Sequence, residues 1–210
     1  MPFEGAAPRV ERRELWIGLG CAVLVLFIWT GYVLLTRFAT RTSFNPPDLV
    51  ALRTGIGGLI MLPWFLRSGL GGLSIGQTLV LALTAGIGFG ALSNWALSLA
   101  PAAHGAALMT GALPLYTSIL AMIVLRERFS AIKLTGLALI VGGVIMMGYD
   151  SLATGEPGQW RGDLLFAAAS ISWAVYTVLA QRWRVRPAQS ARVVFVTAAV
   201  LYLPVYFLFF

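Results

Sequence analysis

Trp29 and Tyr32 are three residues apart, and Trp173 and Tyr176 repeat that spacing 144 positions later. On a helix, residues three apart share a face, so each pair presents two aromatic rings together. Such faces hold apolar, aromatic or cationic groups. If both pairs meet, they line a cavity for a small organic solute. If they do not, they pack between helices or anchor them at a membrane surface. Arg53 lies five residues into an apolar run, roughly 8 Å deep at about 1.5 Å per residue. An arginine inside a membrane costs at least about 2.5 kcal/mol unless it is paired or hydrated. It reads as an anion-binding group lining the cavity, or as a side chain snorkelling to the outer surface towards Asp48. Asn94 and Trp95 lie deep in a third run, where an asparagine must find partners in substrate or in a neighbouring helix. Pro114, with Thr110, Tyr116, Thr117 and Ser118, is expected to open the backbone of the fourth run or to kink it. The expected substrate-binding residues are Trp29, Tyr32, Arg53, Asn94, Trp95, Tyr116, Trp173 and Tyr176.

What is missing narrows the chemistry. The sequence has one histidine, His104, and one cysteine, Cys21. It has no HExxH or CxxC motif, so no catalytic residue, metal ligand set or cofactor is expected. The acids are Glu4, Glu11, Glu14, Asp48, Glu127, Asp150, Glu156 and Asp163, and none falls centrally in an apolar run. A proton relay at mid-membrane therefore has no carboxylate. His104 is at the outer end of the fourth run and reads as a helix-end residue or, less simply, as a coupling group. A retinal protein needs a lysine late in the chain, yet Lys133 is the only one. The chain is not expected to be an enzyme.

The elements that position these residues are apolar helices. Of the 210 residues, 59% are hydrophobic and 11% charged, against roughly 25% charged in soluble domains. Seven runs of membrane-spanning length are predicted at about 15–36, 48–66, 76–98, 105–125, 131–149, 162–182 and 191–210. The first exceeds a signal-peptide core and is read as a retained helix. Pro46-Pro47 marks the second start, Ser130 caps the fifth helix, and Asp150 to Trp160 is the longest loop. The net charge of +7 does not imply nucleic acid, because the basic residues alternate by side. With the N-terminus cytoplasmic, eleven of the fifteen Lys and Arg lie inside and three outside, with Arg53 within a span. That is a positive-inside pattern. Gly55, Gly57, Gly58, Gly86, Gly88, Gly90, Gly142 and Gly143 read as close-packing positions, some of them suited to a rocking interface.

The aromatic pairs belong to an internal repeat. Trp16, Gly18, Trp29, Tyr32 and Leu35 map onto Trp160, Gly162, Trp173, Tyr176 and Leu179, and Pro46 and Pro63 onto Pro187 and Pro204. Five spans separate the two starts, so the copies enter the membrane from opposite sides. Inverted repeats of this kind build alternating-access carriers.

Several stretches resemble the EamA-type transporters of the drug/metabolite transporter superfamily. They include Gly111 to Gly148 (GALPLYTSILAMIVLRERFSAIKLTGLALIVGGVIMMG), Ala51-Leu52-Arg53, and Leu92 to Ala107 (LSNWALSLAPAAHGAA). The resemblance implies an all-α polytopic fold of ten helices in two inverted halves. Residues 1–149 would be the first half, 150–161 a connecting loop and 162–210 the first two helices of the second. It implies a secondary transporter of an amino acid, metabolite or drug-like compound. Small exporters of the superfamily carry a glutamate in the first helix that this sequence lacks, so proton antiport is not carried over. Since the second half stops early at Phe210, the alternatives are a non-functional fragment and a subunit whose missing helices come from a homo-oligomer or a partner chain. The expected partners are a small-molecule substrate and membrane lipids. The excess of arginine over lysine points to a bacterial inner membrane.

Overall fold

The computed structural model describes residues 12–126, 129–153 and 155–210. In it, seven helices are long and apolar enough to cross a bilayer. They are α1 (Arg12–Thr42), α2 (Pro46–Ser68), α3 (Ile75–Leu99), α4 (Ala102–Leu125), α5 (Ala131–Ala153), α6 (Gln159–Arg182) and α7 (Pro187–Phe209). The protein is an all-helical polytopic membrane protein, with no strand among the described residues. Its outward surface is apolar: Phe27 is 74% exposed and Leu139 equally so. Water would penalise such a surface, whereas lipid tails are as apolar as leucine.

Local sequence sets the helix ends. Pro46 and Pro47 occupy the first turn of α2, where a missing N–H costs nothing. The Asn45 N–H donates to the Asp48 carboxylate at 2.8 Å. Ser74 and Gln77 cap α3 reciprocally, at 3.2 and 2.9 Å. Ser130 accepts from the Lys133 N–H at 3.3 Å and caps α5. Gly69 ends α2 with φ +53°, a conformation that only glycine adopts without strain. Helix α1 continues to Thr42, past its expected end at 36, and stops ahead of the Asn45–Pro47 turn. The loop between the copies is shorter than expected, because α5 runs through Asp150 to Ala153 and α6 starts at Gln159. Gly158, with φ +91°, makes the reversal next to Pro157 in few residues. Glu127 and Arg128 of the expected charged turn, and Glu4, Arg9 and Glu11, lie outside the described residues.

Helix α6 runs between α3 and α4, and α2 packs along α7. Small residues permit these contacts. A Cβ on Gly58 would lie 2.7 Å from the Ala199 Cβ, and one on Gly86 2.6 Å from the Ala198 Cβ. These glycines join α2 and α3 to α7. Gly142 and Gly143 do not fit the close-packing expectation, since a Cβ on either would meet nothing within 4 Å. They lie on the lipid-facing side of α5, which is the least buried helix after α1.

Candidate functional site

Trp29 and Tyr32 project from the middle of α1, and Trp173 and Tyr176 from the middle of α6. The rings meet. Trp29 and Trp173 have centroids 6.4 Å apart, and each lies against its own tyrosine at 5.7 and 5.1 Å. Phe89 of α3 touches both tryptophans, 5.9 Å from Trp29 and 4.8 Å from Trp173, so that the three rings form a triangle. All these contacts are tilted, the geometry that ring quadrupoles favour. Beside them is a cavity of about 350 Å³ lined by Trp29, Phe89, Met109, Thr110, Leu113 and Trp173, among others. Its walls are almost wholly apolar, apart from the Thr110 hydroxyl, which accepts from Trp29 Nε1 at 3.3 Å.

Both tyrosines are fixed by their hydroxyls. Tyr32 donates to Asn94 Oδ1 at 3.1 Å and lies 3.4 Å from Ser93 Oγ. Tyr176 pairs with Ser190 Oγ at 2.7 Å. Asn94, buried in α3, thereby orients an aromatic wall from behind. Its neighbour Trp95 is 38% exposed and is not among the residues lining the aromatic cavity. Tyr116 follows Pro114 by two residues along α4 and is not among the residues lining the aromatic cavity.

Two π-helical turns border the site, Ala82–Gly88 in α3 and Gly105–Gly111 in α4. The second explains what Pro114 does. Its ring crowds the carbonyl four residues back and it has no N–H to offer. The register shifts ahead of it, and the Ala112 N–H reaches the Ala107 carbonyl at 2.8 Å. The first turn depends on glycine: a Cβ on Gly88 would sit 2.6 Å from the Leu83 carbonyl oxygen. Such turns leave carbonyls to be satisfied from outside the helix. Ser172 of α6 donates to Thr84 at 2.8 Å, and Ser170 of α6 donates to Leu108 at 3.3 Å and to Met109.

Arg53 takes the remaining role. Its guanidinium donates to the Gly86 carbonyl at 3.1 Å and to Ala85 at 3.4 Å, both in the α3 turn. It also lies over the rings of Phe89 and Phe195, 5.5 and 5.8 Å from their centroids. It does not reach for Asp48, which is engaged by Asn45 and by Tyr206 at 2.9 Å. A larger groove of about 520 Å³ lies near Asp48, between α2 and α7, remote from the aromatic cluster. The structure thus brings together Trp29, Tyr32, Asn94, Trp173 and Tyr176, and sets Arg53 behind Phe89. Sequence reasoning missed Phe89. Its signal was a large ring flanked by Gly86, Gly88 and Gly90, where small neighbours leave space around it.

The sequence profile of the EamA-like transporter family matches residues 16–149. Comparison with curated proteins and with solved structures gives no match.

Proposed function

Because the chain belongs to the EamA-like transporter family, a family of membrane transporters, we propose that it is a secondary carrier for a small organic solute bearing an aromatic or apolar ring. The solute sits in the cavity between α1, α3, α4 and α6. The observation that carries this reading is the meeting of Trp29 and Trp173, one from each copy, over Phe89. The rings supply apolar contact, and Thr110 supplies a hydroxyl for orientation. The positive charge of Arg53 behind Phe89 favours a solute that also carries a carboxylate.

Access alternates as the first copy rocks against α6 and α7. The glycine contacts of Gly58 with Ala199 and Gly86 with Ala198 are smooth surfaces suited to that sliding. The N-terminus is cytoplasmic, as the arginine distribution favours, and the membrane is a bacterial inner membrane, as the excess of arginine over lysine favours.

The test is counterflow in proteoliposomes containing the whole chain, with labelled ring-bearing carboxylates, ring-bearing neutral solutes and aliphatic amino acids. Saturable exchange of ring-bearing solutes, lost in Trp29→Ala, supports the reading. Exchange of aliphatic solutes alone, or exchange indifferent to Trp29, rejects it.

A further inference from the structure

A buried polar cluster closes the outer ends of three helices, apart from the aromatic cavity. His104 is at the start of α4, Ser151 near the end of α5, and Gln159 and Asp163 in the first turns of α6. All four are buried. His104 Nδ1 stands 2.8 Å from Asp163 Oδ1 and 3.3 Å from Ser151 Oγ. Ser151 donates to the other carboxylate oxygen, Asp163 Oδ2. Gln159 Nε2 donates to Ser151 Oγ at 3.2 Å and lies 3.5 Å from His104 Nε2.

The partners divide the roles of the two ring nitrogens. Nδ1 faces a carboxylate, which only accepts, so that nitrogen carries its proton in the neutral and the charged ring alike. Nε2 is therefore the nitrogen that gains or loses a proton. It faces an amide, whose NH₂ can donate to a bare nitrogen. Turned over, the same amide offers its carbonyl to an N–H and gives up its bond to Ser151. The cluster has partners for both charge states of one imidazole. A buried carboxylate is costly without a cation beside it, so the charged ring holds the closed cluster more firmly than the neutral one.

The place matters as much as the chemistry. The cluster ties α4 and α5 of the first copy to α6 of the second. Next to it Ala100 touches Gly162, where a Cβ would lie 2.6 Å from the Ala100 Cβ. Any opening of this end between the copies has to part both contacts.

We propose that His104, Asp163, Ser151 and Gln159 form a proton-binding site that clamps the two copies together at the outer end, with a proton on Nε2 favouring closure. The proton passes between Nε2 and water on the outer side, and no other bond is made or broken. The consequence for transport, a link between solute movement and the outer pH, rests on the carrier reading. Asp163 is the acid in ion-pair contact with His104. At this end of the surrounding elements the other charged groups are Arg37 and Arg41 of α1, Asp150 of α5, Glu156 in the loop and Arg161 of α6. Arg37 donates to the Leu97 carbonyl and Arg161 lies over Trp160.

The test uses the whole chain in lipid nanodiscs, with Cys21→Ser and Ser93→Cys as background. Ser93 is fully buried, below the outer end of α3. Labelling by a water-borne thiol reagent is followed from about pH 5 to about pH 8, the range of imidazole charge change. Each rate is divided by that of glutathione at the same pH. The expected result is a normalised rate at least about fivefold higher at the alkaline end, the lower bound of ordinary coupling between sites. His104→Gln should give a flat, high rate and His104→Lys a flat, low one. Misfolding of either variant cannot produce opposite plateaus. A pH rise that survives in His104→Gln, or equal plateaus in the two variants, overturns the proposal. Flat labelling with intact solute exchange removes the proton site and leaves the carrier. Gated labelling, with no exchange of any solute by the chain that keeps Ser93, does the reverse.

Discussion

Trp29 and Trp173 lie 6.4 Å apart with their planes inclined at 59°, although 144 residues separate them. The tryptophan-tyrosine spacing that recurs in α1 and α6 becomes one aromatic wall when the helices pack. Each ring is steadied from behind by a tyrosine whose hydroxyl is bonded to α3 or α7.

Removing either ring should weaken the grip on a ring-bearing solute. An aromatic pair contributes about 0.5–1.5 kcal/mol beyond area burial, so Trp29→Ala and Trp173→Ala should each raise the Kd roughly 3–10-fold. Trp29→Phe keeps the ring and loses the donor to Thr110, and should retain most of the affinity. Equilibrium binding of the solute found by counterflow checks this. A change under about twofold for both alanine variants would place the solute elsewhere.

Arg53 has two bonds to a turn of α3, and their loss should be felt as stability. Arg53→Ala removes both bonds to the Gly86 and Ala85 carbonyls, and a hydrogen bond from a charged group is worth about 1.5–3 kcal/mol. Gly90→Ala should act in the same direction, because its Cβ would come 2.8 Å from Arg53 Nη1. Thermal melting in detergent is the measurement. An unchanged melting temperature for Arg53→Ala, together with lost binding, would make the arginine a group for the solute rather than for α3.

The glycines of α2 and α5 should respond in opposite ways. Gly58→Ala drives a methyl to 2.7 Å from the Ala199 Cβ, and such overpacking costs roughly 1–3 kcal/mol. Ala199→Gly in the same chain should recover part of the loss, but not all, since the Phe195 carbonyl oxygen stays 3.1 Å away. Gly142→Ala meets nothing within 4 Å and should be neutral or slightly stabilising, as alanine favours helix over glycine. Equal losses at both sites would contradict the packing described.

The topology can be read by labelling in intact cells. In a Cys21→Ser background, Ser43→Cys lies in the turn before α2 and Ser68→Cys at the far end of that helix, both exposed. An impermeant thiol reagent should label position 43 from outside and leave position 68 unlabelled until the cells are opened. The reverse pattern would invert the protein in its membrane.

Much was legible in the chain before it was folded. The seven spans were, because hydropathy is a sum over consecutive residues and needs no partner. The helix starts at Pro46 and Ser130 were legible from first-turn chemistry, whereas α7 begins at Pro187, four residues ahead of the start expected at 191. Pro114 announced an irregular backbone, but the register shift lies ahead of it, at Gly105–Gly111. The matching turn at Ala82–Gly88 has no proline and went unseen. The aromatic pairs were visible as a recurring spacing, yet Phe89, which joins them, lies on α3, outside both pairs.

By itself the sequence determined a membrane-embedded helical protein, with a recurring tryptophan-tyrosine spacing and Arg53 inside the apolar layer. Only the tertiary structure decided which groups meet. It turned Arg53 away from Asp48 and onto the carbonyls of α3, and it left Trp95 exposed while burying Asn94. It also gathered His104, Ser151, Gln159 and Asp163 from three helices into one buried cluster. The physical reason is that burial in a bilayer follows from local composition, whereas a hydrogen bond across helices depends on how each helix is rotated and how closely its neighbours approach. Those rotations are set by the packing of glycines and rings far apart in the chain.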